Sequence, residues 1–349
     1  MDTSVYPGHY RLLHERPAQK RSKSIHNSLC DNGHGDILLC SSLFVDSFSS
    51  FPYFGIVNHE RAGPSTPGTL EGVIHFDRVC ALRCQCPSIL QRWAARPRHW
   101  PSPAIVQKVV SLGAYLTPVG FKGSEFNHME WRLCFNTGET ELVNNLNCTQ
   151  AHVYVMLKMI LKDVLRPRKK EVTSYVIKNI ILWQVECNPQ NDLNTRSFFH
   201  RLHDGLRELK TAIATQQMPY YMIPERNLMA ASGLQDKQQC TWVTDITNMM
   251  AEGPMVILRL PKIRQAIVAS PEPMLWYSKT RMELEMLVIE MLNRHLQCSD
   301  EYMVMNESDD IWKRILRRKR ELLVEVSHWM RLEGSAVYEL NDIKNRILI

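Results

Sequence analysis

Asp77 is the residue whose surroundings most suggest chemistry in this sequence. It interrupts a strand-like run of apolar residues that extends from Val73 to Leu82. A buried charge needs an opposite charge or a metal ion beside it, so a carboxylate at this position is unusual and is a candidate for a functional role. The residues alone leave two alternatives open, an ion pair with the adjacent Arg78 and simple exposure of Asp77 to solvent.

Three cysteines follow in the same region and invite comparison with metal sites. Cys84 and Cys86 would share one face of a strand, and Cys80 lies close before them. Structural zinc takes four ligands, and no histidine nearby completes the set, so the spacing favours ordinary thiols. The 10 cysteines of the chain are irregularly spaced, and the residues after Met1 lack the apolar core of a signal peptide. We therefore expect reduced thiols in a cytoplasmic protein.

A second stretch of interest alternates between apolar and polar side chains. The odd-numbered positions of Trp131–Phe135 are apolar and would point to one face of a short strand, whereas Arg132 and Cys134 would point to the other. Arg132 is therefore predicted to lie opposite the aromatic face. Glu139 follows at the start of the next predicted helix, where a carboxylate suits the helix dipole.

The elements that must position these residues divide the chain into a mixed first half and a helical second half. With 349 residues, 44% hydrophobic and 22% charged, the chain can build a sizeable core in one or two domains. Strands are predicted at Ile37–Cys40, Val73–Arg83 and Trp131–Phe135, while 58–70 is predicted to be a mobile surface loop because it contains Gly and Pro turns. Apolar residues at helical spacing predict a series of helices. These are Ser41–Phe48, Ala104–Leu112, Gln150–Val164, Val172–Glu186, Thr195–Ala214, Glu283–Leu296 and Ile311–Met330.

The charge balance permits a polyanionic partner without requiring one, since the net charge is +6 at pH 7. Basic residues cluster in two stretches, 166–170 and 314–320. Each favours either contact with double-stranded nucleic acid or a solvated helix face. No apolar run is long enough to cross a bilayer, so we expect no membrane partner.

The chain resembles the Mab-21 family in three places. These are the Trp-Arg-x-x-Phe pattern at 131–135, the preceding segment Pro118–Ser124, and the segment Tyr220–Leu228 with its Ile-Pro-Glu core. That family includes cyclic GMP-AMP synthase and the cyclic GMP-AMP synthase-like receptors of invertebrates, and the resemblance is greatest to mollusc-like members. It extends over roughly residues 37 to 250.

The resemblance implies an α+β fold, in which a partial nucleotidyltransferase-type sheet is followed by a helical Mab-21 C-terminal lobe of the helix-hairpin-helix/H2TH-like type. The domains it implies are a loose tail at 1–36, the partial nucleotidyltransferase lobe at 37–124, the helical lobe at 125–250 and a helical extension at 251–349.

The resemblance also assigns roles to residues in the matching segments. Asp77 matches the third acid that binds the catalytic metal, expected to be Mg²⁺ or Mn²⁺ used with ATP and GTP. Arg132 matches an arginine that contacts the nucleobase, and Glu139 matches a glutamate near the base and ribose. An ion pair is the ordinary structural alternative for Arg132.

Three further residues match positions in the helical lobe. Lys158 matches a lysine that binds nucleotide phosphate. Ser174 and Tyr175 match a pair in which the serine touches phosphate and the tyrosine stacks on a base, roles that suit a hydroxyl donor and a flat ring. The structural alternatives are a solvated helix lysine for Lys158 and core packing for Tyr175.

The activity that the resemblance implies is limited by residues that do not match. The family's catalytic lobe carries a Gly-Ser turn and then a Glu-x-Asp pair, and neither precedes Asp77 here. One carboxylate holds Mg²⁺ poorly, because that ion requires octahedral oxygen ligands. The zinc-binding insertion of vertebrate members has no counterpart, since only Cys148 and His152 could serve between Leu146 and Lys158.

We therefore expect a nucleotidyltransferase-family protein whose relatives sense nucleic acid and make nucleotide second messengers in innate immunity. In this chain catalysis is expected to be impaired, unless the front of the lobe is missing from the sequence. The alternative is a non-catalytic domain that binds nucleoside triphosphates or a protein partner.

Overall fold

The structure, a computed structural model, describes residues 5–14, 23–33, 35–48, 56–60, 64–166, 171–189, 195–298, 309–335 and 339–347. The chain forms two compact units. Unit 1 combines Met1–Phe48 with Cys80–Arg264, and unit 2 combines Ser49–Val79 with Gln265–Ile349. No pattern in the sequence indicates that residues 49–79 group with the C-terminal residues.

Strands β1 to β9 are His9–Arg11, Leu29–Asp31, Ile37–Leu39, Ile56–Asn58, Ser65–Leu70, Ile74–Val79, Leu82–Cys84, Ala114–Thr117 and Glu130–Cys134. Helices α1 to α13 are Lys23–His26, Ser41–Phe48, Pro87–Ala94, Pro103–Leu112, Asn136–Asn144, Cys148–Ile160, Ser174–Cys187, Phe198–Thr215, Asp236–Glu252, Pro261–Val268, Glu272–Cys298, Asp310–Leu332 and Leu340–Ile347. Strands and helices are both present, with the helices concentrated after residue 136, so the predicted α+β class is confirmed.

A four-stranded antiparallel sheet forms part of unit 1, in the order β1-β9-β8-β7. One face of β9 is buried, with Trp131 0% and Leu133 1% exposed. The Trp131 indole N–H donates to the Leu39 carbonyl oxygen at 2.7 Å. Arg132 lies on the opposite face, in register with His9 of β1. Glu130 and Cys134 on that opposite face are also buried, so Arg132 is the one half-buried position of β9.

β1 lies in the stretch for which the sequence predicts a loose tail. It pairs antiparallel with β9, and the Leu133 N–H donates to the Gly8 carbonyl oxygen at 2.9 Å. The Tyr6 hydroxyl also donates to the Asn227 carbonyl oxygen at 3.1 Å. A strand of three residues held by backbone bonds carries too few side chains to show a period, so its sequence contains no signal for it.

The prediction of a surface loop at 58–70 is wrong for residues 65–70, which form strand β5. β5 is the central strand of a second antiparallel sheet, β4-β5-β6, which belongs to unit 2. Gly68 of β5 faces Phe76 of β6, and a Cβ at Gly68 would lie 2.7 Å from the Phe76 ring. The local sequence suggests that this glycine marks a turn. In the structure it instead makes room for the Phe76 ring on the neighbouring strand.

The helical part of unit 1 is built around α6, α7 and α8. Asn147 and Gln150 form a reciprocal capping box that starts α6. A π-helical turn, Leu161–Leu165, continues α6 and ends at Arg166, whose φ of 51° is left-handed. A Cβ at Gly205 of α8 would lie 2.7 Å from Leu157, so α6 and α8 approach each other closely at this position.

Unit 2 has its own apolar core. Leu70 and Val73 of the β-hairpin segment pack in one cluster with Leu284 and Val288 of α11 and with Val326 of α12. This shared core explains why 49–79 groups with residues 265–349. None of the helices in the described ranges combines the length and apolar composition that a membrane span requires.

Candidate functional site

Glu139 is the centre of a buried polar network in unit 1. Its side chain lies in the first turn of α5 and is 1% exposed. The hydroxyls of Tyr175 and Tyr220 both donate to Oε1, each at 2.6 Å. The Lys178 ammonium pairs with Oε2. Both carboxylate oxygens therefore have partners from the protein itself, as a buried charge requires.

Two elements far apart in sequence supply these partners. Tyr175 and Lys178 lie three positions apart on α7, so both point to the same side of that helix. Tyr220 comes from a turn that folds back on itself, with Pro219 bridged to Asn227. The Asn227 side-chain oxygen accepts the backbone N–H groups of Met218 and Met229, each at 2.9 Å. The family-like segment Tyr220–Leu228 thus has a clear structural task, which is to hold Tyr220 against Glu139.

The electrostatics of the network keep the tyrosines protonated. Burial, and then the Glu139 charge, raise the pKa of Tyr175 well above its ordinary value. Burial, followed by Tyr175 and Glu139, does the same to the pKa of Tyr220. The Lys178 ammonium lies 4.5 Å from the centre of the Tyr175 ring, and the Arg226 guanidinium 5.1 Å from that of Tyr220. The two tyrosine hydroxyls are therefore neutral donors to Glu139.

Lys158 and Ser174 are the exposed members of this neighbourhood. Lys158 lies on α6 with its ammonium 5.2 Å from the centre of the Tyr154 ring. Burial, and then the Glu139 charge, raise the pKa of Tyr154. Ser174 is the first residue of α7, where helix N–H groups lack intrahelical partners. A hydroxyl and an ammonium are thus available to an anion from two adjacent helices.

Arg132 joins the network through a buried histidine. His9 is 6% exposed, and burial followed by the charges of Arg226 and Arg132 lowers its pKa to about 4. Arg226 in turn lies over Tyr220 and donates to the Leu133 carbonyl oxygen at 3.3 Å. Among the described residues, Arg132 Nε has no hydrogen-bond partner. The structure therefore links Arg132, Glu139 and Tyr175 through shared neighbours, while Lys158 lies on the adjacent helix α6 and Ser174 adjoins Tyr175 in the chain.

Asp77 has a different setting. It belongs to unit 2, whereas the other five candidates belong to unit 1. On β6 it lies on the exposed face of the strand, in register with Pro67 of β5. The premise of a buried carboxylate is therefore wrong, and simple exposure, the alternative stated above, accounts for the position. Half-buried and exposed residues alternate along β6, and Asp77 is one of the exposed residues. A count of the hydrophobic residues in the segment does not reveal this alternation.

A divalent cation does not fit the described residues. No group of three or more His, Cys, Asp or Glu side chains in those ranges is arranged to hold a metal. Asp77 alone cannot supply the oxygen ligands that Mg²⁺ requires. Burial raises the pKa of the Cys84 thiol and raises that of the Cys86 thiol to about 12.

The family-like segment Pro118–Ser124 forms a closed loop. The buried Glu130 carboxylate accepts the Phe121 N–H at 2.9 Å and the Ser124 hydroxyl at 2.5 Å. A Cβ at Gly120 would lie 2.0 Å from the Asn127 carbonyl oxygen, so only glycine fits there. The Phe121 ring stacks on Tyr6 with centroids 4.0 Å apart. These contacts fix the loop beside β1 and explain its Gly and Ser residues in structural terms.

Sequence reasoning missed four members of the network, Lys178, Tyr220, Arg226 and His9, and also Tyr154, which lies beside Lys158. Lys178 and Tyr154 carried a usable signal, because each lies three or four positions from a candidate residue on the same helix. Arg226 lies inside a segment noted only for its resemblance. His9 is in the stretch predicted to be a tail, and no pattern near it indicates burial.

A cavity in unit 1 is a separate feature. It has a volume of about 600 Å³ and lies between α7 and α8, with Ile180, Trp183 and Met218 in its lining. None of its lining residues belongs to the Glu139 network.

Comparisons with known proteins match two consecutive segments of the chain. Residues 57–145 match the Mab-21 protein nucleotidyltransferase domain, and residues 148–248 match the Mab-21 protein HhH/H2TH-like domain. A cyclic GMP-AMP synthase-like receptor from Aethina tumida is 24% identical over 231 residues, which cover 62% of this chain. The matched region spans 55% of that relative's length.

Proposed function

Because the chain belongs to the Mab-21 family, we propose that it is a nucleotidyltransferase-family protein that binds nucleoside triphosphate in its helical lobe, with impaired turnover. The observation that carries this proposal is the Glu139 network. It ties α5, α7 and the Tyr220 turn together; Ser174 is exposed at the start of α7, and Lys158 is exposed on the adjacent helix α6.

The exposed residues suit the phosphate end of a nucleotide. Lys158 offers a compact cation and Ser174 a hydroxyl beside the N-terminal N–H groups of α7, and both favour a negative charge. Arg132 is half-buried, and its guanidinium carries N–H donors that suit a base edge.

Glu139 is proposed to act differently from the other candidates. Its two oxygens are already occupied by Tyr175, Tyr220 and Lys178. It is therefore a positioning residue that orients the Tyr175 ring, and the ring supplies the face against which a base can stack.

The impaired turnover follows from the metal chemistry. Nucleotidyl transfer relies on Mg²⁺ or Mn²⁺ held by clustered carboxylates, used in this family with ATP and GTP. The described residues do not offer that cluster, and we derive no catalytic step through a metal. Incubating the full chain with ATP, GTP, Mg²⁺ or Mn²⁺ and double-stranded RNA or DNA is expected to give no oligonucleotide product. A product that requires the protein would refute the impairment.

Nucleotide binding is tested by thermal unfolding with and without ATP or GTP. A ligand that prefers the folded state stabilises it by about 2.7 kcal/mol when its concentration is 100 times Kd. The Lys158→Ala variant is expected to lose most of this shift, whereas Lys237→Ala, at an exposed lysine of α9, is expected to keep it. No shift in the wild type, or equal loss in both variants, would overturn the proposal.

A second candidate function, nucleic-acid binding, has support from α12. Arg314, Arg317 and Arg320 are exposed on this helix, whereas Arg318 pairs with Glu283 at 2.7 Å and Lys319 with Glu71 at 3.1 Å. The other predicted basic stretch is 166–170, and its residues 167–170 lie outside the described residues. Binding of double-stranded RNA or DNA through phosphates should weaken steeply with salt and with a triple Arg→Ala change. An affinity that ignores salt would exclude this function.

A further inference from the structure

α11 has apolar residues on two opposite faces. On the inner face, Leu284 and Val288 are each 0% exposed and belong to the core of unit 2. The outer face carries five large apolar side chains, each about half exposed or more. They are Leu275 (64%), Met282 (58%), Met286 (60%), Ile289 (48%) and Leu296 (57%). A contiguous exposed row of this kind is typical of an interaction surface.

The outer row follows a heptad pattern over three repeats. Its members are 275, 279, 282, 286, 289, 293 and 296, so the spacing alternates between four and three residues, and all seven are exposed. Lys279 and Asn293 are the two polar members. This spacing keeps the seven side chains on one side of a helix, and the partner that covers such a row is another helix.

The order of side chains along the row reads the same in both directions. It runs apolar, polar, apolar, apolar, apolar, polar, apolar, with Met286 at the centre. If a second copy of α11 lies antiparallel and is centred on Met286, every apolar position meets an apolar position within about one residue, or 1.5 Å, along the axis. Lys279 then meets the amide of Asn293 from the other copy.

From this symmetry we propose that the outer face of α11 is the contact surface for a second copy of this chain, packed antiparallel. The polar positions decide the orientation. In a parallel pair in register, Lys279 would lie against its own copy, and like charges at a covered seam are destabilising. In the antiparallel pair the Asn293 side-chain oxygen accepts a hydrogen bond from the Lys279 ammonium.

The oligomeric state of the full chain tests the contact, by sedimentation velocity over a wide range of concentration. The wild type is expected to show a monomer–dimer equilibrium. Met286→Asp is expected to weaken it by at least about tenfold, because it places an unpaired carboxylate at the centre of the seam twice. Val324→Asp is the matched control, since Val324 is also 60% exposed on a helix of unit 2, and it should leave the dimer unchanged. Far-UV circular dichroism checks that both variants fold.

The Asn293→Asp variant tests the orientation. In the antiparallel pair it places a carboxylate beside Lys279 of the other copy, and dimerisation should tighten by about two- to tenfold. In a parallel pair it would place two carboxylates together, and dimerisation would weaken. A wild type that stays monomeric, a dimer insensitive to Met286→Asp, equal losses in Met286→Asp and Val324→Asp, or a weaker Asn293→Asp dimer would each overturn the proposal.

Discussion

The pair formed by Glu139 and Lys178 allows a quantitative test of the buried network. The Glu139 side chain is 1% exposed and the Lys178 side chain 20%, so the two charges are largely removed from water. Glu139→Gln keeps an oxygen for the two tyrosine hydroxyls but leaves the ammonium beside a neutral amide. We expect it to lower the free energy of unfolding by about 3 kcal/mol, the lower end of the range for a broken buried pair.

The complementary change, Lys178→Met, leaves the carboxylate with its two hydroxyl donors and retains the volume of the side chain over the Tyr175 ring. We expect a loss of about 2 kcal/mol. In the double variant neither charge remains, so its loss should be smaller than the sum of the two single losses by about 1.5 to 3 kcal/mol.

Urea unfolding at pH 7 provides the measurement, followed by both tryptophan fluorescence and far-UV circular dichroism to check that the transitions coincide. Lys108→Met is the control, because Lys108 pairs with Glu141 of the same α5 helix at 2.8 Å but its side chain is 57% exposed. This change should have a much smaller effect than Lys178→Met. Losses from Glu139→Gln and Lys178→Met that add within about 0.5 kcal/mol would refute the coupling on which the network depends.

Three further predictions concern elements that border the network. Burial lowers the pKa of His9 to about 4 in the folded chain, against an ordinary value of 6.5, so the unfolded chain binds more protons between those two pH values. The free energy of unfolding should therefore be highest above pH 6.5 and fall by up to about 3 kcal/mol on acidification to pH 4. Urea titrations at several pH values should find this fall reduced in His9→Asn. Gly120→Ala should destabilise by about 3 kcal/mol or more because its Cβ would meet the Asn127 backbone, whereas Gly123→Ala meets only a movable ring and should cost less; equal costs would contradict the close approach. Asn227→Ala leaves the Met218 and Met229 N–H groups without their acceptor and the Gln216 carbonyl oxygen without its donor, so it should cost about 3 kcal/mol by urea unfolding; a loss below about 0.5 kcal/mol would argue against these hydrogen bonds.

The sequence was sufficient where a short pattern repeats along one element. The alternation in β9 predicted the buried face that contains Trp131 and Leu133, and the helical spacing predicted α6, α7 and α8 with ends a few residues away. The sequence was insufficient for β5, where Gly68 leaves space for the Phe76 ring on the next strand. A local pattern cannot distinguish that use of glycine from a turn.

The candidate site was predicted in part for the same reason. Tyr175 and Lys178 share a helix face, and that relation is visible in the sequence. Tyr220 reaches the same carboxylate from 81 residues away, and His9 reaches Arg132 across a strand pair that no pattern indicates. Asp77 shows the opposite error, since an apolar neighbourhood in sequence does not establish burial in space.

The shared core of unit 2 bears on how the protein can be divided for expression. Leu70 and Val73, 5% and 1% exposed, come from within the range matched by the family's first domain, yet they pack against Leu284, Val288 and Val326, which lie beyond the second. A fragment trimmed to the two matched ranges would leave those two side chains facing water on a small sheet with free edges. Such a fragment is expected to be poorly soluble, and soluble material should require co-expression of residues 265–349.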